Sequence, residues 1–289
     1  MTPDRPTLLL SVDFEDWHQL VRRRVGVNGW EAPGPALARQ TDALLRTFDD
    51  LGARATFFVL GMAARAHPHL LKPIAEAGHE IGCHGDAHLP VHSQTPDEFA
   101  QDLRAARATI EELTGRTPVG YRAPAFSITR EAAGWAYEVL AQQGFAYDAS
   151  QHDSPAIRDH AVPAARQPHR LEPAGLYEFP VAVWHPGPAA VPVGGASYWQ
   201  VLPTPVVLTG LQHAGAYAGL YLHPNELDPQ PLKAMLPGHA TRNQRLHARL
   251  REAQRNGARR RAPSVLRAIA QRFDLIPYGE AHARLGDGA

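Results

Sequence analysis

Thr7-Leu8-Leu9-Leu10-Ser11-Val12-Asp13-Phe14-Glu15-Asp16 passes from a mostly apolar run into three carboxyl groups within four positions. The largely apolar stretch Leu8 to Asp13 predicts a buried strand, and the acids then lie where the chain leaves it. Burying such acids without compensation costs several kcal/mol, so a cationic partner is expected beside them. The bland alternative is an acidic surface turn or a helix N-cap.

Working outward, the same unit repeats. Ala36 to Leu51 has helical spacing and stops at Gly52, and Ala55 to Leu60 reads as a second strand. Pro68 to Ala77 is the next helix and His79 to Cys83 the third strand. Thr95 and Glu98 have capping-box spacing at the start of a long helix reaching Gly115. Val119 to Arg122 is a fourth strand, Arg130 to Gln143 a helix, and Phe145 to Asp148 a fifth strand. Alternation of this kind produces an α/β fold with parallel strands joined by helical crossovers. Beyond it, Ser150 to Arg170 reads as an irregular loop, Leu176 to Trp184 as a strand, Pro186 to Gly195 as a connection and Pro205 to Tyr217 as a helix. Gly219 to Leu222 is a late strand that delivers His223. No composition break divides residues 1–289, so one domain is expected, with motifs over 8–228 and a helical and strand extension over 229–289.

Lys plus Arg and Asp plus Glu both total 29, which leaves no global field to favour nucleic acid or an anionic membrane. The Arg-rich stretch Arg242 to Arg261 is a local exception, read as a solvated helical face. Cys83 is the only cysteine, which excludes an internal disulfide framework and suits a small packing residue. The opening apolar run is too short for a signal-peptide core, and no segment approaches the roughly 18 apolar residues of a membrane span. The cytoplasm is therefore the expected location; oligomeric state is not legible.

Sites on parallel α/β scaffolds gather at the carboxyl ends of strands. That rule selects Asp13, Glu15 and Asp16 after the first strand, His84 and His88 after the third, Arg122 after the fourth and His223 after the late one. His84-Gly85-Asp86-Ala87-His88 spaces two imidazoles so that both can face one point where the backbone curls. With one carboxylate they make a three-ligand metal site that keeps a position open for water.

Four segments carry a family resemblance: Ser11-Val12-Asp13-Phe14-Glu15-Asp16-Trp17; Gly78-His79-Glu80-Ile81-Gly82-Cys83-His84 with His88; Gly120-Tyr121-Arg122-Ala123-Pro124; and Leu220-Tyr221-Leu222-His223-Pro224. In order and spacing they resemble the motifs of polysaccharide deacetylases with the NodB homology fold. Gly194 to Trp199 and Leu202-Pro203 further resemble the subgroup encoded with exopolysaccharide genes. The resemblance implies a distorted (β/α) barrel of about seven parallel strands and metal-dependent removal of an N-acetyl group from a GlcNAc-type sugar, in a polysaccharide or a lipid- or nucleotide-linked precursor. It implies a divalent metal, Zn²⁺ by ligand type with Co²⁺, Ni²⁺ or Mn²⁺ as substitutes, on His84, His88 and one acid. Asp13 would be the general base, Arg122 its charge-assisted partner, Pro124 the stiffener of that loop and His223 the general acid. A backbone N–H near Arg122 would join the metal in meeting the oxyanion.

Three departures from the family pattern matter. The usual adjacent Asp pair is here Asp13-Phe14-Glu15-Asp16, so Glu15 and Asp16 compete as ligand: Glu15 if the strand continues, Asp16 if the chain turns after Phe14. Gly85 removes a hydroxyl that braces the His loop in relatives. The acid that tunes His223 is open among Asp148, Glu178, Glu226 and Asp228. Trp17, Trp30, Trp184, Tyr198 and Trp199 are candidates to stack on sugar rings at the mouth. Two rival functions are a C–N hydrolase acting on a non-sugar amide or imide, and a catalytically silent carbohydrate binder.

Overall fold

The opening run forms strand β1 (Thr7–Phe14), buried at every position after the first. The computed structural model describes residues 5–154, 166–257 and 259–286. Among them the further strands are β2 (Thr56–Val59), β3 (Glu80–Cys83), β4 (Gly120–Tyr121), β5 (Tyr147–Asp148), β6 (His169–Leu171), β7 (Leu176–Glu178), β8 (Val183–Trp184), β9 (Val191–Pro192), β10 (Ala218–Leu222) and β11 (Asp274–Ile276). The helices are α1 (Trp17–Arg24), α2 (Leu37–Asp50), α3 (Gly61–Ala66), α4 (Leu71–Glu76), α5 (Pro96–Thr114), α6 (Arg130–Gln142), α7 (Ala196–Trp199), α8 (Thr204–His213), α9 (Arg242–Asn256), α10 (Ala262–Ala270) and α11 (Tyr278–Gly286).

The main sheet runs β10-β1-β2-β3-β4-β5-β7-β6, and only the β6–β7 pairing is antiparallel. One edge of β1 pairs with β10, while β11 and β2 share the other, β11 along Thr7–Leu9 and β2 along Ser11–Phe14. From β10 to β7 this gives seven parallel strands in a row, as expected. Val181, just past β7, makes an isolated parallel bridge to Gly219 of β10. The sheet is therefore curled into a half-barrel whose flanks approach one another.

Strand alternation divides the side chains of β1. Leu8, Leu10, Val12 and Phe14 pack outward into the main core beneath the helices. Leu9 faces inward, into a second core with Phe58, Tyr147, Phe179, Ile276 and Tyr278. Each fully buried side chain of this size contributes about 1.5–3 kcal/mol of transfer free energy, so the concave side is anchored by apolar packing below its polar rim. The capping box of α5 forms as the sequence predicts, with Thr95 Oγ1 accepting from Glu98 N–H and Glu98 Oε2 accepting from Thr95 N–H, and Gly115 ends the helix at φ +66°.

Three expectations change. Leu176 to Trp184 is not one strand: Pro180 cannot donate to a ladder, and the chain breaks into β7 and β8, with β8 pairing β9 inside the segment expected to be a bare connection. Helices α1 and α3 arise where no helix was expected. The extension also does more than append, since β11 joins the central strand. Residues 155–165 of the expected Ser150 to Arg170 loop lie outside the described residues. No described helix is long and apolar enough to cross a membrane.

Candidate active site

Because β1 keeps its extended geometry through Phe14, the inward set Leu9, Ser11, Asp13 continues to Glu15. Glu15 Oε2 lies 3.1 Å from His88 Nε2. Glu15, His84 and His88 each offer one ligand atom, and these atoms lie within 4.8 Å of one another. Burial works against the Glu15 carboxylate, but a hydrogen bond and charge from His88, with charge from His223 and His84, prevail and bring its pKa down to about 2. Burial also lowers the pKa of His84, which favours the neutral imidazole a metal requires. His84 Nδ1 lies 2.8 Å from the Arg122 carbonyl, which only accepts, so Nδ1 carries the proton and Nε2 presents its lone pair. The donor set fits a divalent ion.

Asp16 is not part of this cluster, which corrects its place among the candidate ligands. The chain turns after Glu15 rather than after Phe14, and Asp16 becomes the N-cap of α1, accepting from His18 N–H at 2.9 Å. Its other oxygen accepts from Gly34 N–H and sits 3.1 Å from His67 Nε2. Of the three acids in this stretch, only Asp16 takes the ordinary structural role of a helix cap.

The His84–His88 loop is braced from two helices. Gly85 sits at φ +76°, and a Cβ there would come within 2.7 Å of Asp102 Oδ2. From α5, the Asp102 carboxylate accepts from the N–H groups of Asp86 and Ala87, which replaces the missing hydroxyl brace. From α1, Arg23 donates to the carbonyls of Ala87 and His88.

Asp13 accepts from Arg122 Nη1 at 2.8 Å. The guanidinium is fully buried and has every edge committed, to Ala149 O, Ser11 Oγ, Asp13 and the Tyr278 hydroxyl, the last at 2.8 Å. Phe58 covers one face, 4.3 Å from ring centroid to Cζ. Burial alone would lower its pKa, but Tyr278 and Asp13 raise it above the ordinary arginine value. Pro124 is buried at the start of a 3₁₀ turn that ends at Phe126, and it does not line the cleft. Ala125 and Phe126 line it instead, both at φ +54°. The N–H groups of Arg122 and Ala123 are taken by Cys83 O and Ser150 Oγ, so the next amide able to face the cleft is that of Ala125.

His223 stands across from the loop, its Nε2 3.7 Å from Glu15 Oε1. Its Nδ1 lies 3.4 Å from Glu226 Oε2, an ion-pair contact too long for a strong hydrogen bond. The same oxygen accepts from His223 N–H at 2.8 Å. Burial lowers the His223 pKa, but the hydrogen-bonding and charge of Glu226, then Glu15, raise it overall. Of the four tuning acids left open, Glu226 is the one beside the histidine. Asp228 pairs with Arg39, and Asp148 accepts from Ser150 Oγ deep in the sheet. Glu178 accepts from Gln151 N–H, with its pKa raised by burial and by Asp148. Glu226 is held in turn by Ser197 Oγ at 2.6 Å, and Arg255 of α9 donates to that hydroxyl.

Asp13, Glu15, His84, His88 and His223 share a cleft of about 610 Å³, whose lining includes Trp17, Tyr198, Tyr221 and Phe126. Trp199 is fully buried, its Nε1 donating to Val193 O, and it belongs to the core. Trp30 lies under Arg23 and Trp184 stacks on His213, both outside the cleft lining. The Arg-rich segment is not merely a solvated face: Arg251 and Arg255 line the cleft. Tyr221 was findable, since alternation on β10 places it on the side of His223; Tyr278 had no local sign.

Residues 31–146 match the family model described as polysaccharide deacetylase, and residues 149–275 match a domain of unknown function, DUF3473. Asp13, Glu15 and His223 lie outside the first match, whereas His84, His88 and Arg122 lie within it. A peptidoglycan deacetylase from Helicobacter pylori is 34% identical over 107 residues, 37% of this chain and 35% of that protein. A peptidoglycan-N-acetylglucosamine deacetylase from Bacillus cereus is 31% identical over 110 residues, 36% of this chain and 50% of that protein. The chain thus spans half or less of the length of these curated relatives. Among solved structures, one from Mycobacterium smegmatis assigned to the polysaccharide deacetylases has a TM-score of 0.61 at 19% identity, covering 100% of this chain and 93% of its own. Peptidoglycan deacetylase PdaC from Bacillus subtilis has a TM-score of 0.50 at 15% identity, covering 99% and 96%. At these identities the likeness concerns the fold.

Proposed function

We propose that this chain, whose residues 31–146 match the polysaccharide deacetylase family model, is a metal-dependent hydrolase releasing acetate from an N-acetylated, GlcNAc-type sugar of a glycan or its precursor. The observation that carries this reading is the convergence of Glu15, His84 and His88 on one point, with Asp13 and His223 within the same cleft. A divalent ion held by those three, Zn²⁺ by ligand preference, would supply Lewis acidity toward the acetyl carbonyl and the attacking water. Asp13, oriented by Arg122, takes the proton from that water. Ala125 N–H donates to the oxygen that gains charge as the carbonyl carbon becomes tetrahedral. His223, backed by Glu226, gives a proton to the departing sugar nitrogen, so the C–N bond breaks to acetate and a free amine. Trp17 and Tyr198 line the cleft where the sugar would lie. We also propose that the two matched segments act as one catalytic unit, because β1 is flanked by β2 of one and by β10 and β11 of the other.

The test is acetate release from N-acetylglucosamine oligomers, measured on chelator-treated protein before and after divalent ions are restored. Activity should vanish and return. Asp13→Asn should keep its metal and lose about 10²- to 10⁴-fold in kcat, the range expected of a general base. His84→Ala and His88→Ala should lose the metal itself, read by elemental analysis. Ammonia release from small amides, or ring opening of small cyclic imides, without acetate release from any sugar would favour the rival C–N hydrolase; intact metal sites in both His variants would overturn the ligand set.

A further inference from the structure

The cleft is polarised in charge. Among the described residues its only acidic lining groups are Asp13 and Glu15, both catalytic, whereas its wall carries Arg23, Arg24, Arg251 and Arg255 from α1 and α9. In a chain of zero formal net charge this is a local segregation of cations. Two of the four have structural work. Arg23 donates to the carbonyls of the His loop, and Arg255 to Ser197 beside Glu226. Arg251 donates only to the neutral side chain of Gln254 among the described contacts, and Arg24 is exposed beside it in the lining. A second hollow of about 270 Å³ adjoins the first, lined by Arg24, Val25, His247, Leu250, Arg251 and Gln254. Three residues are common to both hollows, so a groove continues from the acetamide-cleaving floor along α9, with Arg24 and Arg251 at the junction.

Guanidinium groups left facing one open groove repel each other until an anion lies between them, and their planar forks match carboxylate and phosphate oxygens. Walls that exclude water focus their field into the groove. We propose that Arg24 and Arg251 form a subsite for an anionic group, carboxylate or phosphate, on the unit next to the acetamide-bearing sugar, so that the substrate is a negatively charged glycan or glycan precursor and not a neutral one. This deepens the deacetylase reading and rests on it.

The test is equilibrium binding by calorimetry to the full chain carrying Asp13→Asn, which prevents turnover. The ligands are an alternating glucuronate–N-acetylglucosamine tetrasaccharide, the neutral N-acetylglucosamine tetramer and uridine diphosphate N-acetylglucosamine. An anionic ligand should bind about tenfold more tightly than the neutral tetramer at low salt, and the advantage should shrink as salt rises. It should collapse in Arg24→Ala/Arg251→Ala. Arg24→Glu, on an exposed side chain, should invert the preference without disturbing the fold. Stronger binding of the tetrasaccharide assigns the subsite to carboxylate; stronger binding of the nucleotide sugar assigns it to phosphate. Equal affinities for charged and neutral ligands, or an anionic advantage that survives in the double variant, overturn the proposal. Acetate release from the neutral tetramer by the protein with Asp13 intact, without an anionic preference, would sink this inference and leave the deacetylase standing. Arginine-dependent anion binding without acetate release from any sugar would sink the deacetylase reading alone.

Discussion

Glu15 and Asp16 are adjacent acids with opposite duties, and the difference between them is one residue of strand. Alternation continues far enough to aim Glu15 at the histidines, and the next residue turns away to cap α1. The sequence posed this as two alternatives and could not choose, because strand ends are set by tertiary pairing, here with β2 up to Phe14. Substitution separates the two roles. Glu15→Gln should reduce metal stoichiometry with little loss of fold. Asp16→Asn should keep the metal but cost about 2 kcal/mol of stability, because the amide oxygen can still cap α1 while an NH₂ in place of the second oxygen leaves Gly34 N–H without its acceptor and weakens the His18 and His67 contacts, read by denaturant unfolding. Metal loss in Asp16→Asn at full stability would reverse the assignment. The partner of His223 was similarly one of four, and only three-dimensional proximity singles out Glu226. Glu226→Gln should retain metal and lower kcat about 10- to 100-fold, since the imidazole loses the charge that favours its protonated form.

At the scale of elements, the parallel strands were legible because buried runs and helical spacing alternate so regularly, and their carboxyl ends pointed to Asp13, Glu15, His84, His88 and His223, which the structure brings to one cleft; Glu226 and the arginines of α1 and α9 carried no such sign. Irregular segments were less legible. The break at Pro180 and the positive-φ turn through Ala125 and Phe126 depend on what packs around them and not on periodicity. The His loop is a case in which glycine is required: at φ +76° and with Asp102 Oδ2 in the way, Gly85→Ala should destabilise the protein by about 1–3 kcal/mol and weaken metal retention, whereas the same change at exposed Gly26 should leave the metal in place. Retention of metal and stability in Gly85→Ala would show that Asp102 is not the brace. The hydroxyl of Tyr278 reaches Arg122 from α11; Tyr278→Phe should slow turnover several-fold at unchanged metal content, because the guanidinium that orients Asp13 loses one acceptor.

Across the whole molecule, two buried imidazoles away from the metal ligands set a pH dependence of folding. Burial, with Arg54 nearby, holds His79 down at about 4, and burial, with Arg122 opposing charge, holds His152 at about 4. Both values lie below the ordinary histidine value near 6.5, so the unfolded chain takes up protons first as pH falls. Their contribution is fully present above about pH 6.5 and is lost progressively towards pH 4, on the order of 2 kcal/mol each. Glu15, lowered from 4.5 to about 2, adds a contribution that is present above about pH 4.5 and is withdrawn as pH falls from there towards 2. Melting temperatures from pH 7.5 to 4 should fall less steeply in His79→Asn, which can still accept from Ala55 N–H; an unchanged slope would remove His79 from the account.

The contact between Arg122 and Tyr278 joins positions 156 residues apart. On a ribosome, the tether for the base would trail its partner by roughly ten to thirty seconds of translation. However early the strands assemble, a nascent chain cannot complete the Asp13–Arg122–Tyr278 linkage until α11 has emerged, and a message cut short before that point would leave the proposed base less firmly held.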